Sequence, residues 1–403
     1  MTREEVYSEC LTKLEKSDFL LLELATGMGK SKQAIDIINY LVETKYQGKH
    51  TSMLLLVAKT VHKQTWKDEF KKWGGINVDG LTIECYESLK KHEYESFDFV
   101  VMDECHHLHS DKRLDLFSTL TYGHVIGLSA TIPKKLKQYF QYEYAAEVVT
   151  CSIVDAIEDE VLPEPQIILY PLQLDNVRPT ESIELNPKAK GKTYYGNYNE
   201  LWKYRKMKVH AIISCTPRQR VNEYNSQILY EKNRYMRTRQ DFLKNKWLFD
   251  CGERIKYLAN LKNHIVLSIL QRLEKERTIT FCKTIEQADI LGKYSIHSKN
   301  KDSDIIYNNF NAKKINHIVS VNVLNEGANL VDCKYAVFAN YSSSEICSAQ
   351  RVGRSLRHKS PVIILPYYEA TREEEIVNTM IESFKEESIH IIHSLKELDK
   401  FIQ

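Results

Sequence analysis

Within eight residues, Leu24-Ala25-Thr26-Gly27-Met28-Gly29-Lys30-Ser31 gathers two glycines, a lysine and a hydroxyl. Glycines let the backbone turn tightly enough for its N–H groups to wrap a phosphate. Lys30 can reach the β- and γ-phosphates, and Ser31 can ligate Mg²⁺. Thr26, Gly27, Met28, Gly29, Lys30 and Ser31 are therefore the candidates for holding a nucleotide. Leu24 stands where the first glycine of G-x-x-x-x-G-K-[ST] falls, so a plain glycine turn competes with this reading of the segment taken alone. Further on, the apolar run Val100-Val101-Met102 leads straight into Asp103-Glu104-Cys105-His106. A carboxylate at a strand end can hold Mg²⁺, and a second beside it can accept a proton from an attacking water. Asp103 is thus the metal candidate with Ser31, and Glu104 the candidate base.

Such groups work only if rigid elements aim them at one place. Phe19 to Leu24, Met53 to Ala58, Leu81 to Cys85, Phe97 to Met102 and Val125 to Leu128 read as short buried strands, and Ser31 to Leu41 and Val61 to Trp73 as helices. Continuous apolar strands alternating with helices predict a parallel sheet covered on both faces. The alternation returns at Thr278 to Cys282, His317 to Val321, Tyr335 to Ala339 and Val362 to Leu365. The expected fold class is α/β: one parallel-sheet domain over residues 1–165, a linker strand and insertion over 166–254, and a second parallel-sheet domain over 255–403.

The insertion differs in character. From Asn186 to Trp247 it carries fifteen Lys and Arg against four Asp and Glu, a net +11 in a chain whose total is +2, so the remainder is acidic. Seven Tyr and two Trp are interleaved. Phosphates attract ammonium and guanidinium groups, and bases stack on aromatic rings, so this block predicts a nucleic-acid surface in which Arg205, Lys206, Arg234, Arg237 and Arg239 take part. The bland alternative is a solvated helical spacer. Thr216-Pro217-Arg218-Gln219 marks a helix start, and Val221, Ile228, Tyr235 and Phe242 recur every seventh residue. They predict a helix of roughly 30 residues, about 45 Å long. Asn197 to Ser214 reads as a shorter helix before it, completing a helical hairpin.

Taken together, the motifs resemble the superfamily-2 helicases and translocases of the DExH type, whose two RecA-like domains bind ATP between them. Ser129-Ala130-Thr131 is similar to their third motif, which implies coupling of nucleotide state to nucleic-acid grip. Val57-Ala58-Lys59-Thr60 with Gln64 and Trp66, and Cys85-Tyr86-Glu87-Ser88-Leu89, resemble the strand-binding motifs, which implies nucleic-acid contacts at Lys59 and Thr60. Phe281-Cys282-Lys283-Thr284 resembles the opening of the second domain, and residues 321–330 the fifth motif, which implies Gly327 and Asn329 at the nucleotide. Gln350-Arg351-Val352-Gly353-Arg354-Ser355-Leu356-Arg357 is similar to the sixth. The resemblance implies that Arg354 and Arg357 neutralise the γ-phosphate when the cleft shuts and that Gln350 orients the water. It covers nearly the whole chain except the insertion. The chain departs from the pattern at Asn329, where many relatives carry Asp, at Ala58-Lys59, which lacks a preceding proline, and in Met1 to Leu22, which lacks a glutamine motif for adenine.

The resulting expectation is an ATP- and Mg²⁺-dependent machine on nucleic acid. DNA (single-stranded, duplex or branched) is preferred because the DECH and QRVGRSLR sequences and the basic insertion resemble DNA translocases of the restriction, repair and phage kinds. An RNA helicase and an ATP-gated scaffold without translocation are the alternatives. No apolar run approaches the roughly 18 residues of a membrane span, and the start, Met1-Thr2-Arg3-Glu4-Glu5, has no signal-peptide core. Nine dispersed cysteines read as reduced thiols. These features predict a cytoplasmic protein of a bacterial or phage-infected cell, without a membrane partner and compatible with a monomer.

Overall fold

The computed structural model describes residues 1–49, 51–74, 80–321, 330–341, 352–353 and 358–402. Six parallel strands form the first sheet: β1 (Phe19–Leu24), β2 (Met53–Val57), β3 (Leu81–Cys85), β4 (Ser96–Asp103), β5 (Thr121–Ser129) and β6 (Glu147–Cys151), in the spatial order β3-β2-β4-β5-β1-β6. Their apolar runs are buried on both faces because helices cover the sheet on each side. Helix α1 (Arg3–Leu14) starts at a capping box in which Thr2 and Glu5 satisfy each other's backbone N–H. Helix α2 (Lys30–Thr44) leaves the glycine turn and buries Ala34, Ile37, Ile38 and Leu41, at the helical spacing read from the sequence. Helix α3 (Thr60–Trp73) follows β2.

The second domain is also a parallel sheet, of seven strands. Its order is β12-β13-β11-β14-β15-β7-β16, with β7 (Gln166–Leu172), β11 (Thr278–Phe281), β12 (Ser295–Ile296), β13 (His317–Ser320), β14 (Tyr335–Phe338), β15 (Val362–Tyr368) and β16 (Ile389–Ile391). The expected linker strand at 166 is thus a full member of this sheet. Seven residues of β7 pair with β15, from Gln166 opposite Val362 to Leu172 opposite Tyr368.

The insertion departs from the expected pair of helices. Asn197 to Ser214 is not one helix. A short helix, Leu201–Met207, ends at Lys208 in the left-handed region, and a strand follows. That strand, β10 (Ala211–Cys215), lies between β8 (Glu181–Leu185) and β9 (Tyr194–Asn197) in a small three-stranded sheet. Ala211, Ile213 and Cys215 point inward onto Ile183, Leu185 and Tyr204, a period of two that the basic flanks obscured in the sequence. The long helix is also shorter than expected. It runs Pro217–Thr238 from the Thr216–Gln219 capping box, and Arg239 turns left-handed to start a second helix, Asp241–Leu261. The two lie antiparallel: Tyr224 meets Tyr257, Asn225 accepts from Arg254, Glu231 pairs with Lys246 and Tyr235 stacks on Trp247. Of the expected seam, Val221 is buried, Ile228 and Tyr235 are half-buried, and Phe242, beyond the break, is exposed.

Both ends of this arm are rooted in the second domain. Val221 and Leu258 pack with Leu174 and Tyr368, and Arg218 donates to the carbonyls of Glu369 and Ala370. At the base of the second helix Lys262 is fully buried. Its ammonium lies 2.6 Å from Glu373 and 4.6 Å from the centre of the Tyr341 ring. Burial pushes the Lys262 pKa down and the Glu373 carboxylate opposes that shift, so the charge depends on its partner. Lys262→Met should destabilise the protein by about 3–5 kcal/mol, because a carboxylate stays buried without its cation; urea denaturation of the variant against the parent measures this.

Candidate active site

The phosphate-binding candidates form one concave surface. β1 ends at Leu24, and the chain turns through Gly27 (φ 106°) and Gly29 (φ 83°) before α2 begins. L-residues rarely adopt such angles, and a Cβ at Gly27 would also come within 2.8 Å of Leu162. Gly29 caps α2 with no side-chain hydrogen bond, and the positive end of the helix dipole lies at the loop, where it favours an anion. The Lys30 ammonium arches back to the Leu24 carbonyl at 3.1 Å. Thr26, Gly27, Met28, Gly29, Lys30 and Ser31 all line a cavity of about 800 Å³, with Asp103 and Glu104 on its wall.

Sequence reasoning missed the far side of this cavity, which α1 builds. Arg3 donates to the Gly27 carbonyl at 3.0 Å, and Gln33 donates to the Arg3 carbonyl at 2.8 Å, so α1 is tied to the phosphate loop by both. Gln33 is buried, and its Oε1 has no partner among the described residues. A glutamine does therefore stand beside the loop. It comes from the helix after the loop, not from the segment before it, where no pattern distinguishes it.

Asp103 closes β4 and Glu104 follows in the left-handed region (φ 51°, ψ 57°), a costly conformation for a residue with a Cβ. The turn separates the two carboxylates. Asp103 meets the indole of Trp66, and Glu104, 7% exposed, turns toward β5. Burial, and next the Glu104 charge, push the Asp103 pKa up, against the pull of Trp66 and Lys30. At the end of β5, Ser129 is fully buried. Its hydroxyl donates to the Thr131 carbonyl at 2.7 Å, and His106 Nδ1 lies 2.9 Å from the same oxygen. The Ser129 hydroxyl can also donate to Glu104 Oε2, so its proton is shared between two acceptors. Glu104 Oε2 is 3.4 Å from both Ser129 Oγ and His106 Nδ1, so Ser129 and Thr131 share one polar network with the carboxylate, while Ala130 between them is half-buried.

The remaining candidates are scattered or outside the described residues. Gly327, Asn329, Gln350, Arg354 and Arg357 lie outside them. Their neighbour Gly353 is described, and it touches the phosphate loop: a Cβ there would overlap Thr26. Gly353 of the second domain therefore meets the loop of the first. Lys59 and Thr60 are exposed at the start of α3, away from the cavity wall. In the insertion, Arg205 of the short helix pairs with the buried Glu223, and Arg234 with the buried Glu231, whereas Lys206, Arg237 and Arg239 are exposed. Cys105 is buried, and His107 stacks on Tyr86.

Residues 2–134 match the family described as type III restriction enzyme, res subunit, and residues 261–359 match the helicase conserved C-terminal domain. With the two-domain fold, this shows that the chain belongs to the superfamily-2 helicases. An African swine fever virus protein named as an ATP-dependent RNA helicase (QP509L) is 29% identical over 131 residues, which cover 27% of this chain and 24% of that protein. The ATP-dependent type ISP restriction-modification enzyme LlaBIII, solved bound to DNA, superposes with a TM-score of 0.56 at 13% identity; the match covers this whole chain and 32% of that one. Dbp5 of S. cerevisiae, solved with RNA and ADP BeF3, superposes with a TM-score of 0.60 at 12% identity over 99% of this chain and 92% of that one. At such identities these two structures establish the fold.

If the loop holds the phosphates of a nucleotide, Lys30→Ala should reduce ATP turnover to background, because it removes the loop's cation, and Gly29→Ala should weaken nucleotide binding by about tenfold through backbone strain of about 1–2 kcal/mol. Phosphate release and titration with a fluorescent ATP analogue check the two; turnover of Lys30→Ala within twofold of the parent is incompatible with the loop's role.

Proposed function

We propose that the protein hydrolyses ATP with Mg²⁺ and couples the cycle to movement along DNA. Among the described residues no group of three or more His, Cys, Asp or Glu side chains is placed to hold a metal alone. Ser31 and Asp103 on the cavity wall supply two oxygens and leave the other positions to phosphate and water, the donor set that suits Mg²⁺. Bound there, the ion would neutralise charge on the β- and γ-phosphates. Lys30 and the α2 N-terminus bind the same phosphates. Glu104, poised by Ser129 and His106, accepts the proton of the attacking water. The contact of Gly353 with Thr26 supports the assignment of Arg354 and Arg357 as groups that act on the γ-phosphate, with Gln350 at the water.

The observation that carries the nucleic-acid reading is the charge left on the arm after its internal pairs are made. Glu200, Glu223 and Glu231 are met by Lys203, Arg205, Arg234 and Lys246. The surplus cations, Lys206, Arg237 and Arg239 among them, are exposed, and so are the rings of Trp202 and Tyr230, over which Arg205 and Arg234 lie. Cations beside accessible rings suit phosphates and bases. DNA is favoured by the similarity of the first domain to the restriction family. The helicase named for RNA supports the second reading, RNA. ATPase rates with single-stranded DNA, duplex DNA, forked DNA and RNA decide between them. Stimulation by RNA alone would replace the DNA reading, and turnover without strand movement would leave an ATP-gated scaffold.

Glu104→Gln should bind ATP within about twofold of the parent and hydrolyse it at least about 10²-fold more slowly, the usual cost of losing a general base; filter binding and single-turnover hydrolysis measure the two. For the arm, Arg237→Ala with Arg239→Ala should reduce the slope of log K against log salt for DNA by about 2, one unit for each lost phosphate contact. Basal turnover without DNA should be unchanged, because the cavity lies elsewhere. Equal affinity of variant and parent at low and moderate salt would make the arm a spacer.

A further inference from the structure

Trp66 and Tyr86 belong to the two segments that resemble strand-binding motifs, yet neither faces a strand. Trp66 is 2% exposed, and its indole N–H donates to Asp103 Oδ2 at 2.9 Å. Tyr86 is 1% exposed, and its hydroxyl donates to the Asp103 carbonyl at 2.9 Å. One residue holds the side chain and the other the backbone of the same aspartate. Both rings are themselves fixed: Phe70 packs on Trp66 at 5.6 Å between centroids, and His107 stacks on Tyr86 at 5.9 Å. The indole meets one carboxylate oxygen and the Glu104 backbone N–H also donates to the carboxylate, while Trp66 and Asp103 both line the cavity.

We propose that Trp66, backed by Tyr86, is the positioning residue that holds Asp103 in the rotamer able to ligate the nucleotide's Mg²⁺. The inference rests on the ATP–Mg²⁺ reading of the cavity and not on the choice of nucleic acid. Partners that hydrogen-bond a metal-ligating side chain orient it, and losing one typically costs about 10- to 100-fold in metal affinity or activity. An N–H donor on a buried carboxylate also fixes the plane of the carboxylate, which an apolar ring of similar size cannot do.

The test uses the full chain and a fluorescent ATP analogue titrated with Mg²⁺. Trp66→Phe keeps an aromatic ring against Phe70 and removes only the donor. It should raise the Mg²⁺ concentration at half-saturation about tenfold while leaving the affinity for the metal-free nucleotide within twofold. The chain has four tryptophans, so ¹⁵N-indole labelling gives a second readout on the parent itself. The Trp66 signal, assigned by its loss in the variant or by its burial from solvent exchange, should move when Mg²⁺ joins the bound nucleotide. The signals of Trp202 and Trp247 in the arm should stay in place. A Mg²⁺ requirement in Trp66→Phe within twofold of the parent overturns the inference. If that variant does not fold, an indole signal of Trp66 that ignores Mg²⁺ overturns it instead. A parent that binds nucleotide equally with and without Mg²⁺ fails one step earlier, at the ATP–Mg²⁺ reading.

Discussion

The site depends on parallel pairing in register. Glu23 of β1 lies opposite Ser129 of β5, and Leu128 of β5 lies opposite Asp103 of β4, so three strands end side by side. The residues just beyond those ends are the glycine loop, the paired carboxylates and the serine network. Hydrogen bonding along the strands fixes the spacing between groups that are remote in sequence, and an antiparallel neighbour would have sent one of them to the opposite edge. Burial of β1, β4 and β5 on both faces makes this edge stiff, which lets the backbone at Gly27, Gly29 and Glu104 be held at left-handed angles.

Much of this was legible in the residues. The strands of both sheets appear as short apolar runs because helices cover both faces, and the Asp103–Glu104 pair was located by the strand before it. Legibility ended where a residue's role depends on neighbours distant in sequence. Trp66 and Tyr86 look like surface residues of strand-binding motifs, and only the sheet order β3-β2-β4, with α3 packed on β2 and β3, brings them to Asp103. Gln33 and Arg3 become neighbours only because α1 folds back over the loop. The strand Ala211–Cys215 was read as helix because its five residues lie between cationic, helix-favouring stretches, and its partner strands come from a poorly patterned region.

The arm shows why a count of charges is a weak guide to contacts. Glu223 and Glu231 are buried against the helices, and two of the arginines expected on nucleic acid balance them. Taking a carboxylate out of water is unfavourable unless a cation accompanies it, so some of the basic residues serve the arm's own folding. The surface that remains is narrower than the composition suggests.

Since β7 at one end and Lys262 at the other both anchor in the second domain, the arm is joined to that domain at both ends. The first arm helix has 22 residues, about 33 Å at about 1.5 Å per residue. It is thus a lever: any rotation of the second domain is enlarged at the arm's tip in proportion to the arm's length.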